Sequence, residues 1–467
     1  MSKQLGLDKF GVQKVMYPKD YACDAVGQFA MNVVTLLTGQ LTYFYTEKVG
    51  VAAATAGTIL LIAKIFDAVT DIIFGKMLTH TKSKYGKARP WLLRMLFPTM
   101  VGIIALFTMP HLSQTGMMIY GIITNIFISA ICYTSIMGAY NAVLAYTTRS
   151  IEEQGKMGVF RCAVGYAVGI GLGIGLIPVT NRMGGDQKAW IIFVSVLAVL
   201  SGIALFIVFK TSVERFGESE EEQAEEEGMT VWEALKILAH NKYWMKMTIG
   251  GVCINIVYAM IMAAPTYYCR YIMGNDNLIA MVNTVNIIPT VLGVLTSPIL
   301  IQKLGLTKTM KYACLLGVAA EAVRCVSPAN WMMTLVFNAV TMYATVPMIS
   351  ALQAMIINTA EINMDQYGVR MIPMTNSANS FAGKIGNGVG SAFIGWVLAV
   401  GGYNADLKVQ PAGVTTSIYA LNIYIPMAML FIVFLLLLRY DLDERYESLL
   451  ASNAKKSEEK KMAAAKK

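Results

Sequence analysis

The residues best equipped for chemistry in this chain stand together in one short run, Lys64-Ile-Phe-Asp67-Ala-Val-Thr70-Asp71. A spacing of four puts Asp67 and Asp71 on one face of a helix, and Lys64 and Thr70 each stand three residues from Asp67. Two carboxylates and a hydroxyl form a hard oxygen cluster. Such a cluster takes a small cation, Na⁺ being the metal that Asp67 and Asp71 would hold, or a shared proton. Neighbouring carboxylates oppose double ionisation, so one holds a proton unless a cation neutralises them. Lys64 alone cannot neutralise two aspartates. The competing reading is a structural ion pair between Lys64 and one of them.

The segment that must carry this cluster is apolar, and so is most of the chain. Of 467 residues, 56% are hydrophobic and only 14% charged, against about 25% charged in an ordinary soluble domain. Too little charge remains to cover a soluble surface of this size, and the chain is too apolar to be disordered. The class left is a polytopic membrane protein embedded in a lipid bilayer. A helix needs roughly 20 apolar residues to cross the hydrocarbon core, and about twelve such segments can be traced. They fall near 25–46, 51–78, 91–111, 116–147, 158–180, 188–210, 243–271, 279–302, 308–327, 331–358, 375–400 and 415–438. The segment 116–147 is long enough to be tilted.

Alternate connections are basic: Lys76 to Arg89, Arg149 with Lys156, Lys303 with Lys308, and the tail from Arg439. The intervening ones are short and nearly uncharged. By the positive-inside rule both termini are expected in the cytoplasm of a cell (inner or plasma) membrane protein. The start of the chain up to Asp20 is polar and basic, unlike a signal peptide. Net charge is +9, but the cations flank apolar segments instead of forming a patch, so no nucleic-acid partner is expected. A run of glutamates, Glu214, Glu218, Glu220, Glu221, Glu222, Glu225, Glu226 and Glu227, interrupts the chain at its middle. It reads as a solvated linker at 213–240 between six-helix bundles at 1–212 and 241–440, with a solvated tail at 441–467. Six plus six spans with a long central loop is the layout of a transporter whose halves rock about a central site.

Other polar residues at membrane depth are candidates by the same cost argument. Lys384 stands among glycines in Phe381-Ala-Gly-Lys384-Ile-Gly-Asn387-Gly, which allow close packing and point the lysine to the interior. Asp24, Gln28 and Asn32 share a face at intervals of four, and with Tyr133, Tyr140 and Asn141 they supply the hydrogen-bonding groups and rings that a sugar needs. Arg161 opens the fifth segment, where snorkelling to the interface is the alternative. Glu321 and Arg324 are spaced to pair with each other, and Arg270 reads as an interfacial anchor. The seven cysteines form no CxxC, the three histidines no zinc spacing, and no GxSxG, HExxH or P-loop is present. Neither an enzyme nor a self-contained ATP-driven pump is expected, and no cofactor beyond a co-transported H⁺ or Na⁺.

The run Lys64 to Gly75, followed by Thr81-Lys-Ser-Lys-Tyr-Gly86-Lys-Ala-Arg89-Pro90-Trp91, resembles the signature of the glycoside–pentoside–hexuronide:cation symporters of the major facilitator superfamily. Phe44-Tyr45-Thr46, Arg161, Tyr267-Tyr268 with Tyr271, and Gly368-Val-Arg370 followed by Lys384 and Gly386 extend the resemblance over nearly the whole chain. It implies an all-α membrane fold of twelve transmembrane helices in two bundles, and symport of a sugar or glycoside with a monovalent cation. It places Asp67, Asp71 and Thr70 at the cation site, with Lys384 beside it. Arg161 falls near the sugar and the cytoplasmic gate, Asn32 and Gln28 on sugar-binding positions, and Tyr140 near a stacking aromatic. A further aspartate of the family's fourth span is replaced here by the stretch Thr134-Ser135-Ile136-Met137. Fewer oxygen anions favour H⁺ over Na⁺. Asn32 in place of an aspartate argues against an α-galactoside. An uncoupled facilitator or exchanger, and a non-transporting membrane sugar receptor, are the competing functions.

Overall fold

The computed structural model describes residues 6–7, 12–215, 231–367, 372–405, 407, 409–446, 448–449 and 452–453. Among them the chain is helical, with one isolated bridge between Leu7 and Gln13. All the expected apolar segments lie on helices. The first is built from Pro18–Ala25, Gly27–Gly39, Leu41–Phe44 and a π-helical turn at Tyr45–Val49. Then follow Ala53–Thr79, Leu96–Phe107, a continuous run from Gln114 through Thr147, Ile151–Arg182 and Gln187–Thr211. The later part holds Lys242–Tyr271, Ile279–Leu304, Leu306–Val326, Trp331–Asn358, Ile372–Val400 and a run from Ala412 through Leu438. Among the described residues, seven helical stretches are long and apolar enough to cross a membrane.

Helix starts follow local capping chemistry and explain where the observed bounds differ from the expected ones. Ser150 accepts from the Glu153 amide and so starts the fifth helix well before position 158. Asp186, Ser113 and Asn330 cap Gln187–Thr211, Gln114–Asn125 and Trp331–Asn358 in the same way. Prolines 178, 265, 289, 298 and 347 sit inside helices that continue through them, as packed neighbours in a membrane allow.

The chain forms two compact units. One contains 1–225 together with 269–284 and 391–415; the other contains 226–268, 285–390 and 416–467. Two segments of the later half of the sequence therefore belong to the first unit. In that unit Gly27–Gly39 packs on Ile151–Arg182 and Gln187–Thr211, and Ala53–Thr79 packs on the Gln114–Thr147 run. Phe44, Phe107 and Trp190 meet with ring centroids 4.7 to 5.6 Å apart. In lipid such contacts act through packing, since the tails are as apolar as the side chains.

Two carboxylates, half-buried Glu214 and buried Glu153, fix loops of the first unit. Glu214, the first of the glutamate run, accepts from the amides of Lys87, Ala88 and Arg89 at 2.7, 2.9 and 2.6 Å. Gly86 beside it has φ +102°, and an added Cβ would overlap the Glu214 carboxylate. Glu153 accepts from the amides of Val15 and Met16 and from the Thr148 hydroxyl. In the second unit Leu306–Val326 packs on Trp331–Asn358 and Ile425–Leu438, around Met310, Cys314, Met348, Leu352 and Leu430. Glu321 and Arg324 pair at 2.7 Å, as their spacing suggested. Arg324 also donates to the Asn422 carbonyl within the π-helical turn Ala420–Tyr424, where the widened turn releases a carbonyl. Leu238, on the Val231–His240 helix, joins this core. Glu218 to Glu227, Gly368-Val-Arg370 and the tail from Ala454 lie outside the described residues.

Candidate cation and sugar site

Ala53–Thr79 is 27 residues long and carries the paired aspartates near its middle. Asp67 is 1% exposed and Asp71 is half-buried. Lys64 Nζ lies 3.1 Å from Asp67 Oδ2. The group that joins the two carboxylates comes from the neighbouring helix. Thr134 Oγ1 lies 2.9 Å from Asp67 Oδ1 and 3.0 Å from Asp71 Oδ1. Thr70, placed in the cluster by its spacing, donates instead to the Asp67 backbone carbonyl at 3.1 Å.

The fourth-span backbone accounts for the position of Thr134. Residues Ile126–Tyr133 form a π-helix, with Thr134 as its C-cap and Thr134 Oγ1 3.4 Å from the Ser129 carbonyl, five residues back. The wide turn shifts the register by one residue and turns Thr134 onto the Ala53–Thr79 face; such bulges recur at functional sites. The sequence held a signal for this residue: a hydroxyl in the stretch that lacks the family's extra carboxylate.

The chemistry of the trio follows from its donors. A threonine hydroxyl has one proton and two lone pairs. It satisfies both aspartates when it donates to one and accepts from the other, which requires a proton on the second; a cation held among these oxygens is the alternative. Two carboxylates with a hydroxyl between them and an ammonium on one of them are a set able to hold one monovalent cation or one shared proton.

The first span presents a second group. Arg161 grips Asp24 with two parallel bonds, Nε to Oδ2 at 2.6 Å and Nη2 to Oδ1 at 2.8 Å. Both residues are buried, so Arg161 does not snorkel here. Its guanidinium lies 3.6 Å from the Tyr140 ring centroid, and Nη2 donates to the Tyr140 carbonyl. The Tyr140 hydroxyl donates to the Asp24 carbonyl at 2.7 Å. A Cβ at Gly27 would meet the Tyr140 ring at 2.6 Å, so that ring is enclosed. One and two turns along, Asn32 donates to the Gln28 backbone carbonyl at 2.9 Å and lies 3.3 Å from Gln28 Oε1. These amides face Gly165 and Gly169 of Ile151–Arg182. Tyr133 accepts from Thr35 at 3.3 Å, and Asn141 is exposed.

Lys384 lies in the second unit on Ile372–Val400 and is half-buried. Its neighbours pack as the glycines suggested: a Cβ at Gly386 would sit 2.7 Å from the Val252 carbonyl, and Asn387 donates to Asn255 at 2.8 Å. Arg270, read as an interfacial anchor, is instead paired with Glu47 at 2.8 Å and Asp276 at 3.3 Å.

Fold and site together define a multi-pass membrane transporter of the major facilitator class, not an enzyme. A sequence model of the MFS/sugar transport protein family matches residues 23–444, and the chain belongs to that family. Within it, the chain stands with the glycoside–pentoside–hexuronide symporters. It is 27% identical to a putative glycoside/cation symporter, YagG, of Escherichia coli (strain K12), over 92% of each chain. It is 25% identical to the isoprimeverose transporter of Lactiplantibacillus pentosus, over 91% of this chain and 89% of that one. Among solved structures it resembles a bacterial homologue of the lysosomal transporter Spinster, at TM-score 0.64 and 13% identity over 91% of this chain and 98% of that one.

Proposed function

We propose that the chain couples inward movement of a sugar or glycoside to one monovalent cation, H⁺ before Na⁺, by alternating access. The observation that carries this reading is the Thr134 hydroxyl set between the Asp67 and Asp71 carboxylates, with Lys64 on Asp67. The two acids and the hydroxyl that bridges them stand within an apolar helix, an arrangement that suits a cation exchanged there. Thr70 supports the helix turn beneath it. Lys384 is assigned to the same coupling step. The sugar is met by Gln28 and Asn32, whose neutral amides suit hydroxyl groups, with Asp24, Arg161 and Tyr140 as the scaffold behind them and Asn141 at the margin. Both termini lie in the cytoplasm of the cell membrane, as the basic connections require.

Cation binding at the two carboxylates favours sugar binding; each ligand raises the other's affinity by the same factor. Radiolabelled sugars offered to proteoliposomes under an imposed pH or Na⁺ gradient test the proposal. The wild type accumulates its sugar and ionophores abolish the accumulation. Asp67→Asn inserts normally but only equilibrates it. If Asp67→Asn still accumulates sugar against its gradient, the coupling site is misplaced. An uncoupled facilitator or exchanger equilibrates without accumulating, and a receptor binds without flux.

A further inference from the structure

A second charged cluster lies outside the cation and sugar site, entirely within the first unit. At its centre Glu47, whose side chain is 0% exposed, pairs with Arg270 Nε at 2.8 Å. Glu47 also accepts from the hydroxyls of Tyr271, at 2.7 Å, and of Tyr403. Arg270 Nη1 reaches the Tyr43 hydroxyl at 3.1 Å and Asp276 at 3.3 Å. Tyr43 donates to Asp276, and Asn181 donates to the other Asp276 oxygen at 3.0 Å.

The connectivity gives this cluster a meaning. Tyr43 and Glu47 end the first span, Asn181 the fifth and Arg270 the seventh, and Tyr403 follows the eleventh. Odd-numbered spans run in one direction, so these ends share the membrane face opposite the N-terminus. The cluster thus ties two span ends from the first half of the sequence, Tyr43 with Glu47 and Asn181, to segments 269–284 and 391–415 of the second half. Beside it the second- and eleventh-span backbones touch: a Cβ at Gly57 would sit 2.6 Å from the Ala392 carbonyl, and one at Gly395 would overlap the Ala53 carbonyl. No pathway passes through such a contact.

We propose that the Glu47–Arg270 pair, with Tyr43, Tyr271, Tyr403 and Asp276, is a clasp that closes the outer face and must break each time that face opens. Glu47 is shielded from water here, so in the closed state its charge depends on Arg270 and the two phenols. In the open state water takes their place. Removing Arg270 therefore penalises the closed state alone and shifts the population outward. This depends on neither the sugar nor the coupling ion, so it stands or falls apart from the proposed symport.

The reporter is Gly39→Cys, one turn inside Tyr43 and on its face of the helix, where an added Cβ meets nothing within 4 Å. In intact cells carrying the full chain with its native cysteines replaced by alanine, an impermeant charged maleimide labels it from outside without substrate. Arg270→Gln and Glu47→Gln are expected to raise the labelling rate about tenfold, and the Glu47→Arg/Arg270→Glu exchange to return it towards the parent rate. Tyr403→Phe, which leaves no buried charge alone, is expected to raise it about threefold, and serves if the charge variants do not insert. Unchanged labelling in Tyr403→Phe and in whichever charge variants insert overturns the clasp.

Discussion

Arg161→Gln isolates what the buried pair in the first unit contributes. Asp24 is 2% exposed and Arg161 5%, so neither charge can turn to solvent when its partner goes. The substitution removes two bonds of 2.6 and 2.8 Å to Asp24 and one of 3.1 Å to the Tyr140 carbonyl. It also removes the guanidinium from above the Tyr140 ring. Breaking a buried pair from one side costs about 3–5 kcal/mol, because the remaining charge is left in a poor dielectric. At roughly 2 °C per kcal/mol for a unit of this size, the melting temperature in detergent should fall by about 6–10 °C. The double variant Asp24→Asn/Arg161→Gln replaces the ions with two amides that can bond each other, and should recover more than half of the loss. The cycle also bears on function. If Arg161 is held for Asp24, the double variant keeps sugar uptake within about tenfold of wild type. Arg161→Gln melting with the wild type, or a double variant no more stable than the single, would refute the argument.

The two threonines near the aspartates should behave differently. Thr134→Val should abolish cation-driven accumulation in proteoliposomes while Thr134→Ser preserves it, because the hydroxyl between the carboxylates is what the site needs. Thr70→Val, whose hydroxyl serves its own helix, should change uptake less than about threefold in the same assay. Glu214→Gln keeps the shape but weakens three amide contacts at the 87–89 turn, and should lower stability by about 1–2 kcal/mol in a detergent melt, with no change in the cation dependence of transport.

Sequence alone determined the apolar segments, their alternating basic connections and the acidic pair on one helix face, because these depend on neighbours within a few turns. Hydrophobic length and i, i+4 spacing are local quantities, and Asp67, Asp71 and Lys64 are adjacent in space for the reason they are adjacent in the chain. Partner choice across the bundle was decided only by tertiary packing. Asp24 finds Arg161 over a separation of 137 residues, and Glu47 finds Tyr403 over 356. Thr134 reaches the aspartates because a π-helix resets the register of its span, while Thr70, three residues from Asp67, turns back on its own helix. No local periodicity encodes which of two hydroxyls meets a carboxylate; that depends on how helices far apart in sequence are rotated against each other.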